Sequence, residues 1–259
     1  MCGPRPLVST LFALAGILVA ALPLPAAAES RMALVIGNRE YRDLPAVRTA
    51  LDDARAIGAM LARAGFAVTS ASNLTLAEMR ARVSQFSAAF AASGPDTVAL
   101  LFFAGQGLQA EGDNYLVPVE AQIKAPSDVS LTALPVRDLM SALEPKRGRM
   151  LIIMLDAPRS QRFPARAEAD SVFTTAAAPA GTIVTFSTGP GAGLVESTGQ
   201  NSIYVTALLE AMKEPGLSIE QGLKIVRTRV NALTGGRQVP WESSSITRTF
   251  SFFPPPTAR

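Results

Sequence analysis

The residues best suited to chemistry gather in a few turn-like segments: Asp52-Asp53, Gly105-Gln106-Gly107, Asp156-Ala157-Pro158-Arg159 and Phe186-Ser187. They supply carboxylates, an amide, a guanidinium and a hydroxyl. They supply no imidazole and no thiol: the chain has no histidine, and its one cysteine is Cys2. Nucleophilic chemistry that hands a proton from Cys or Ser to His is therefore excluded. A serine nucleophile would need another base. Ser160 and Ser187 are the candidates, with Asp53, Asp156 or Lys146 as helper; the plain alternative is that these serines shape turns. Asp52, Asp53 and Asp156 together could hold a divalent cation, yet acids at helix starts and strand ends are usually structural. No metal and no cofactor is assigned. Gly235-Gly236 reads as a turn, outside the context of a phosphate loop.

Uniformly apolar runs must position these segments. Met32–Ile36, Phe66–Ser70, Thr97–Phe103, Met150–Leu155 and Thr182–Phe186 read as strands, the third being the strongest. Between them lie amphipathic helices. Leu51–Ala64 has helical apolar spacing and stops at Gly65. Thr75 and Glu78 form a capping box ahead of a stripe of Met79, Val83, Phe86 and Phe90. Further helices fit Pro135–Leu143, Ser202–Met212 and Ile219–Leu233, and a polar hairpin spans Leu108–Val119. Ile246–Phe253 alternates and is expected to be an edge strand. Apolar strands alternating with helices imply a mostly parallel sheet covered on both faces. Ligands of such sheets sit at the carboxyl ends of the strands. Those ends are Gly37-Asn38, Gly105-Gln106-Gly107 and the segment from Asp156 to Arg159.

Residues 1–28 read as a cleaved signal peptide: Arg5, an apolar run from Leu7 to Leu22, then Ala26-Ala27-Ala28 as an Ala-x-Ala cleavage site. A domain is expected over 29–253, with a mobile loop about 161–179 and a disordered Pro-rich tail over 254–259. Without cysteine after Cys2, neither disulfides nor thiolate metal sites are open to this domain. Lys and Arg number 24 against 21 Asp and Glu, with no basic block interleaved with aromatics, so nucleic acid is not an expected partner. No membrane association is expected once the signal is removed.

The same segments carry a resemblance. Arg31–Asn38 with Tyr41, Asp52-Asp53-Ala54, Leu101–Gly107, Asn114–Pro118, Ile153–Arg159, Phe186–Pro190 and Thr234–Trp241 are similar, in order and spacing, to the bacterial caspase-like proteins of the metacaspase and orthocaspase branch (peptidase C14). The likeness runs from about Arg31 to Ser245. It implies an α/β caspase-like (caspase-hemoglobinase) three-layer sandwich, with a mostly parallel central sheet flanked by helices.

The resemblance puts Gln106 where the family has its catalytic histidine and Pro158 where it has its cysteine. Glutamine has no titratable group near neutrality. Proline offers neither a nucleophile nor a backbone N–H for an oxyanion site. The chain is therefore expected to be a pseudoenzyme with no catalytic residues, and the signal segment implies that it is bacterial and periplasmic or secreted. Asp156 matches the acid that in this family helps hold a basic side chain, so a vestigial pocket for Arg or Lys is expected around it. A structural role for Asp156, capping local N–H groups or pairing with Arg159, is the alternative. Gly105, Gly107, Arg159 and Ser187 would neighbour that cleft, the two glycines kept for unusual backbone angles. The expected role is binding, regulation or scaffolding of an unidentified protein or peptide by a monomer. Assembly through a sheet edge and a hydrolase with a relocated serine are the alternatives.

Overall fold

The computed structural model describes residues 29–110, 112–146, 148–158, 178–190 and 192–256, and residue 3. The expected signal peptide, the loop from 161 through 177, Arg159 and Ser160 lie outside the described residues, as do the last three tail positions.

In chain order the elements are β1 (Arg31–Gly37), α1 (Ala50–Arg63), β2 (Ala67–Ser72), α2 (Leu76–Ala92), β3 (Val98–Ala104), β4 (Gly107–Ala110), β5 (Asp113–Leu116), α3 (Pro126–Thr132), β6 (Leu134–Pro135), α4 (Val136–Ala142), β7 (Met150–Asp156), β8 (Thr182–Phe186), α5 (Ile203–Met212), α6 (Ile219–Leu233) and β9 (Trp241–Ser244). A 6-stranded sheet has the order β2-β1-β3-β7-β8-β9, and every pairing is parallel except that of β8 with β9. A 3-stranded sheet, β4-β5-β6, stands beside it.

Alternation along the central strands divides the core. Val35, Leu100, Phe102, Ile152 and Met154 face α1, α5 and α6, and Leu34, Ile36, Leu101, Phe103, Ile153 and Leu155 face α2 and α4. Because both faces are covered, β3 and β7 are buried at every position, which is why their sequences are apolar without a break. The α2 stripe of Met79, Val83, Phe86 and Phe90 is buried as its spacing predicts, and each side chain contributes about 1.5–3 kcal/mol of burial. The Thr75–Glu78 capping box closes reciprocally at its start. The result is a three-layer α/β sandwich.

Two expectations are corrected. Ile246–Phe253 is not a strand; the edge strand is β9, a few residues earlier. The alternation there has another cause. Phe250 and Phe252 turn inward onto Phe66, and Arg31 holds the backbone by donating to the carbonyls of Ser251 and Phe252. Gly105 and Gly107, in turn, do not have positive φ. Close approach explains them: a Cβ on Gly105 would sit 2.5 Å from the Tyr41 hydroxyl, and one on Gly107 would sit 2.7 Å from the Pro158 carbonyl oxygen. Gly235 and Gly236 do take positive φ, at 59° and 83°, and form the turn after α6.

Candidate functional site

The ends of β1, β3 and β7 meet at one edge of the sheet. The Asn38 amide donates to Ala104 O at 2.8 Å, and the Gly105 amide donates to Asp156 O at 3.2 Å. Asn38 is fully buried, and its side chain bonds Leu74 and Val117, so it stitches the strand ends together.

Gln106 and Pro158 come together on the lining of one cleft of about 340 Å³. Residues 45–49 ahead of α1 and residues 193–197 ahead of α5 form its walls, with Ser202 and Gln238 completing the lining. The Gln106 side-chain amide is committed: Nε2 donates to Pro45 O at 2.8 Å. Its backbone N–H donates to the Tyr41 hydroxyl at 2.7 Å. No imidazole or thiol stands at either position. Pro158 has no backbone N–H to offer the cleft.

The second wall is stitched from three sides. The Arg48 guanidinium donates to the carbonyls of Ser197 and Gly199. Gln238 Oε1 accepts from the Val195 amide at 3.0 Å, while its Nε2 donates to Ser187 O at 3.0 Å. Asn201 and Ser202 reach inward to the acids.

Asp156 does not line the cleft. It is 3% exposed at the end of β7, and its Oδ2 accepts from the Ser202 hydroxyl at 2.5 Å. Asp53, in the first turn of α1 and 1% exposed, accepts on Oδ1 from Asn201 Nδ2 and from the Ser202 amide, both at 2.9 Å. One residue thus bonds both carboxylates. Burial pushes the Asp156 carboxyl up to about 7, with the neighbouring Asp53 charge adding to the rise and the Ser202 and Ser187 hydroxyls opposing it. Burial also raises Asp53, against the hydrogen bonds it accepts. Asp53 Oδ2, Asp156 Oδ1 and the fully buried Ser187 Oγ have no hydrogen-bond partner of ordinary geometry among the described residues. Ser187 lies near enough to bias the Asp156 charge.

Asp52 stands apart from this pair and bonds Arg55 at 2.6 Å. Among the described residues no cluster of three or more His, Cys, Asp or Glu is arranged to hold a metal ion. Ser187, one of the candidate nucleophiles, is sealed from the cleft at 0% exposure. Sequence reasoning missed two residues that matter. Glu196 is the acid that does line the cleft, and Ser202 is the link between the buried acids. Ser202 has a readable signal as a helix cap, since its Oγ accepts from the Val205 amide. Nothing in the sequence connects it to carboxylates 149 and 46 positions away.

The chain belongs to the caspase-domain family, Peptidase C14, whose model matches residues 30–251. Mucosa-associated lymphoid tissue lymphoma translocation protein 1 of Homo sapiens is 29% identical over 134 residues, covering 52% of this chain and 16% of that protein. Its Mus musculus homolog is 28% identical over 134 residues, covering 52% of this chain and 15% of that protein. The chain therefore spans about one sixth of the length of these curated relatives. They are animal proteins, and they overturn the placement in the bacterial metacaspase and orthocaspase branch. The expected bacterial periplasmic or secreted location, read from residues 1–28, is overturned by the same animal relatives. The quoted motifs mark the caspase domain and do not separate its branches. No helix among the described residues is long and apolar enough to cross a membrane.

Proposed function

We propose that this caspase-family domain is a pseudoenzyme that works by binding, holding a peptide or protein segment with an Arg or Lys side chain in the 340 Å³ cleft. One observation carries the reading: the cleft remains open while Gln106 and Pro158, which line it, offer no nucleophile and no base. Glu196 would meet a basic side chain directly, and the Asp53–Asp156 pair would add negative potential from beneath through Ser202. The domain is read as a monomer.

Isothermal titration calorimetry with Arg-ended peptides tests this. Wild type should bind, and Glu196→Gln should bind about tenfold more weakly, the cost of one partly solvated charge contact. No binding by wild type would remove the reading. So would hydrolysis of a basic peptide by wild type at a rate abolished by changing one of its own residues.

A second reading, assembly through the sheet edge, is favoured by Trp241, which begins edge strand β9 and is 43% exposed. A concentration-independent monomer in sedimentation velocity would exclude it.

A further inference from the structure

The cleft wall at 193–202 is fastened to the body of the domain through Ser202. Its amide is given to Asp53 and its hydroxyl to Asp156, so α1, β7 and the start of α5 all join at this one residue. We propose that Asp53, Ser202 and Asp156 form a proton-held latch that keeps the 193–202 wall fastened in place, and that loss of the proton shared by the two acids releases the wall. Its action as a gate rests on the cleft being the binding site; the latch itself does not.

The geometry of charge carries the argument. Both acids are buried, and among the described residues neither forms an ion pair with Lys or Arg. Among the described residues the charged and titratable groups around them do not compensate. Asp52 on α1 adds negative charge and is taken up by Arg55. Tyr204 on α5 is buried, held neutral, and bonded to Thr185. Glu242 on β9 is paired with Arg227. Arg48 directs its guanidinium to the Ser197 and Gly199 carbonyls, and Glu196 lines the cleft.

With one proton between them, the acids carry a single negative charge. A protonated Asp156 Oδ1 can donate to Ser187 Oγ, which gives both unpartnered atoms a partner at once. Asp53 stays ionised, suited to its two N–H donors and to the first turn of α1. When the proton leaves, two like charges share a buried site. Hydroxyls and amides cannot neutralise the second one, so separation of the acids is the available relief. Ser202 is what spans them. Its movement uncaps α5 and slackens the wall that continues through Ser197 and Val195.

Hydrogen exchange read by mass spectrometry tests the latch without any ligand. After correction for intrinsic chemistry, amides of 193–202 should exchange about tenfold faster at pH 8 than at pH 6, while those of β3 should not change. Asp156→Asn should remove the difference. No step in wild type, or the same step in Asp156→Asn, overturns the proposal. Should that variant fail to fold, Asp53→Asn serves in the same comparison. Carboxyl carbon NMR of wild type gives an independent reading: one Asp should titrate close to neutrality, and titration of every Asp at ordinary acidic values overturns the latch. An exchange step in a protein that binds no Arg-ended peptide would remove the binding reading and leave the latch intact.

Discussion

The two ends of the central sheet bury charge in opposite ways. At the amino end, Arg31 is fully answered. Its guanidinium donates to the carbonyls of Ala64, Ser251 and Phe252, pairs with Glu29 at 2.8 Å, and lies over the rings of Phe66 and Phe250 at 5.6 and 5.0 Å. At the carboxyl end, Asp53 and Asp156 share Ser202, and among the described residues they lack a cation and each leave an oxygen without a partner. A charge with every partner in place holds structure. Two like charges with partners missing store a cost that a proton, a ligand or a movement can relieve. The difference sets the carboxyl end apart as the place where a proton, a ligand or a movement could act.

The sharpest way to break that contrast is at Arg31. Arg31→Ala leaves three backbone carbonyls without their donor and removes the anchor of the segment after β9. Stability should fall by roughly 4–5 kcal/mol, measured by urea denaturation, since each lost charged hydrogen bond costs about 1.5–3 kcal/mol before relaxation. A loss under about 1 kcal/mol would mean that the cluster is a surface contact and that the two ends do not differ as argued.

Next in size, and opposite in sign, is Asp156→Asn. The folded-state pKa of about 7 exceeds the ordinary 3.8, so the folded chain holds a proton that the unfolded chain releases. This group's contribution is therefore fully present below about 3.8, declines as pH rises, and is lost above about 7. Asparagine keeps an acceptor for Ser202, supplies an N–H for Ser187, and never ionises. The variant should exceed wild type by up to roughly 4 kcal/mol at pH 8, with the gain shrinking toward pH 4. Denaturation midpoints across that range measure it. A variant that loses stability by the same amount at every pH would show that the carboxylate is an ordinary buried acceptor.

How much of this was legible beforehand depends on whether a signal was local. The strands announced themselves because burial on both faces leaves no polar position in β3 or β7. The Thr75–Glu78 box and the convergence of Gln106 with Pro158 followed from short-range chemistry and parallel-sheet geometry. What failed was tertiary. Phe250 and Phe252 alternate like a strand, yet it is Arg31 and Phe66, more than 180 residues away in sequence, that select the conformation. Gly105 and Gly107 are required by neighbours, Tyr41 and Pro158, and not by their own dihedral angles. Asp156 was read as ending a strand, and it does, but its withdrawal from the cleft behind Ser202 depends on a loop that closes across 46 positions.

The smallest expected effect separates the cleft from both ends of the sheet. Gln106→Ala removes the bond to Pro45 O but leaves the backbone bonds to Tyr41 and Val117 in place. Pro45 is exposed, so water can take over its carbonyl, and the net cost should be about 1 kcal/mol. Hydrogen exchange should quicken over 45–49 and change far less over 193–202, because Gln238 and the acids hold the second wall even where Arg48, itself in 45–49, loosens its grip on the Ser197 and Gly199 carbonyls. Were both walls to loosen together, the cleft would be one cooperative unit, and the acid pair could not act on 193–202 alone. Independent walls would leave the cleft with one side set by an amide blind to pH and, on the latch proposal, the other side answering to a proton.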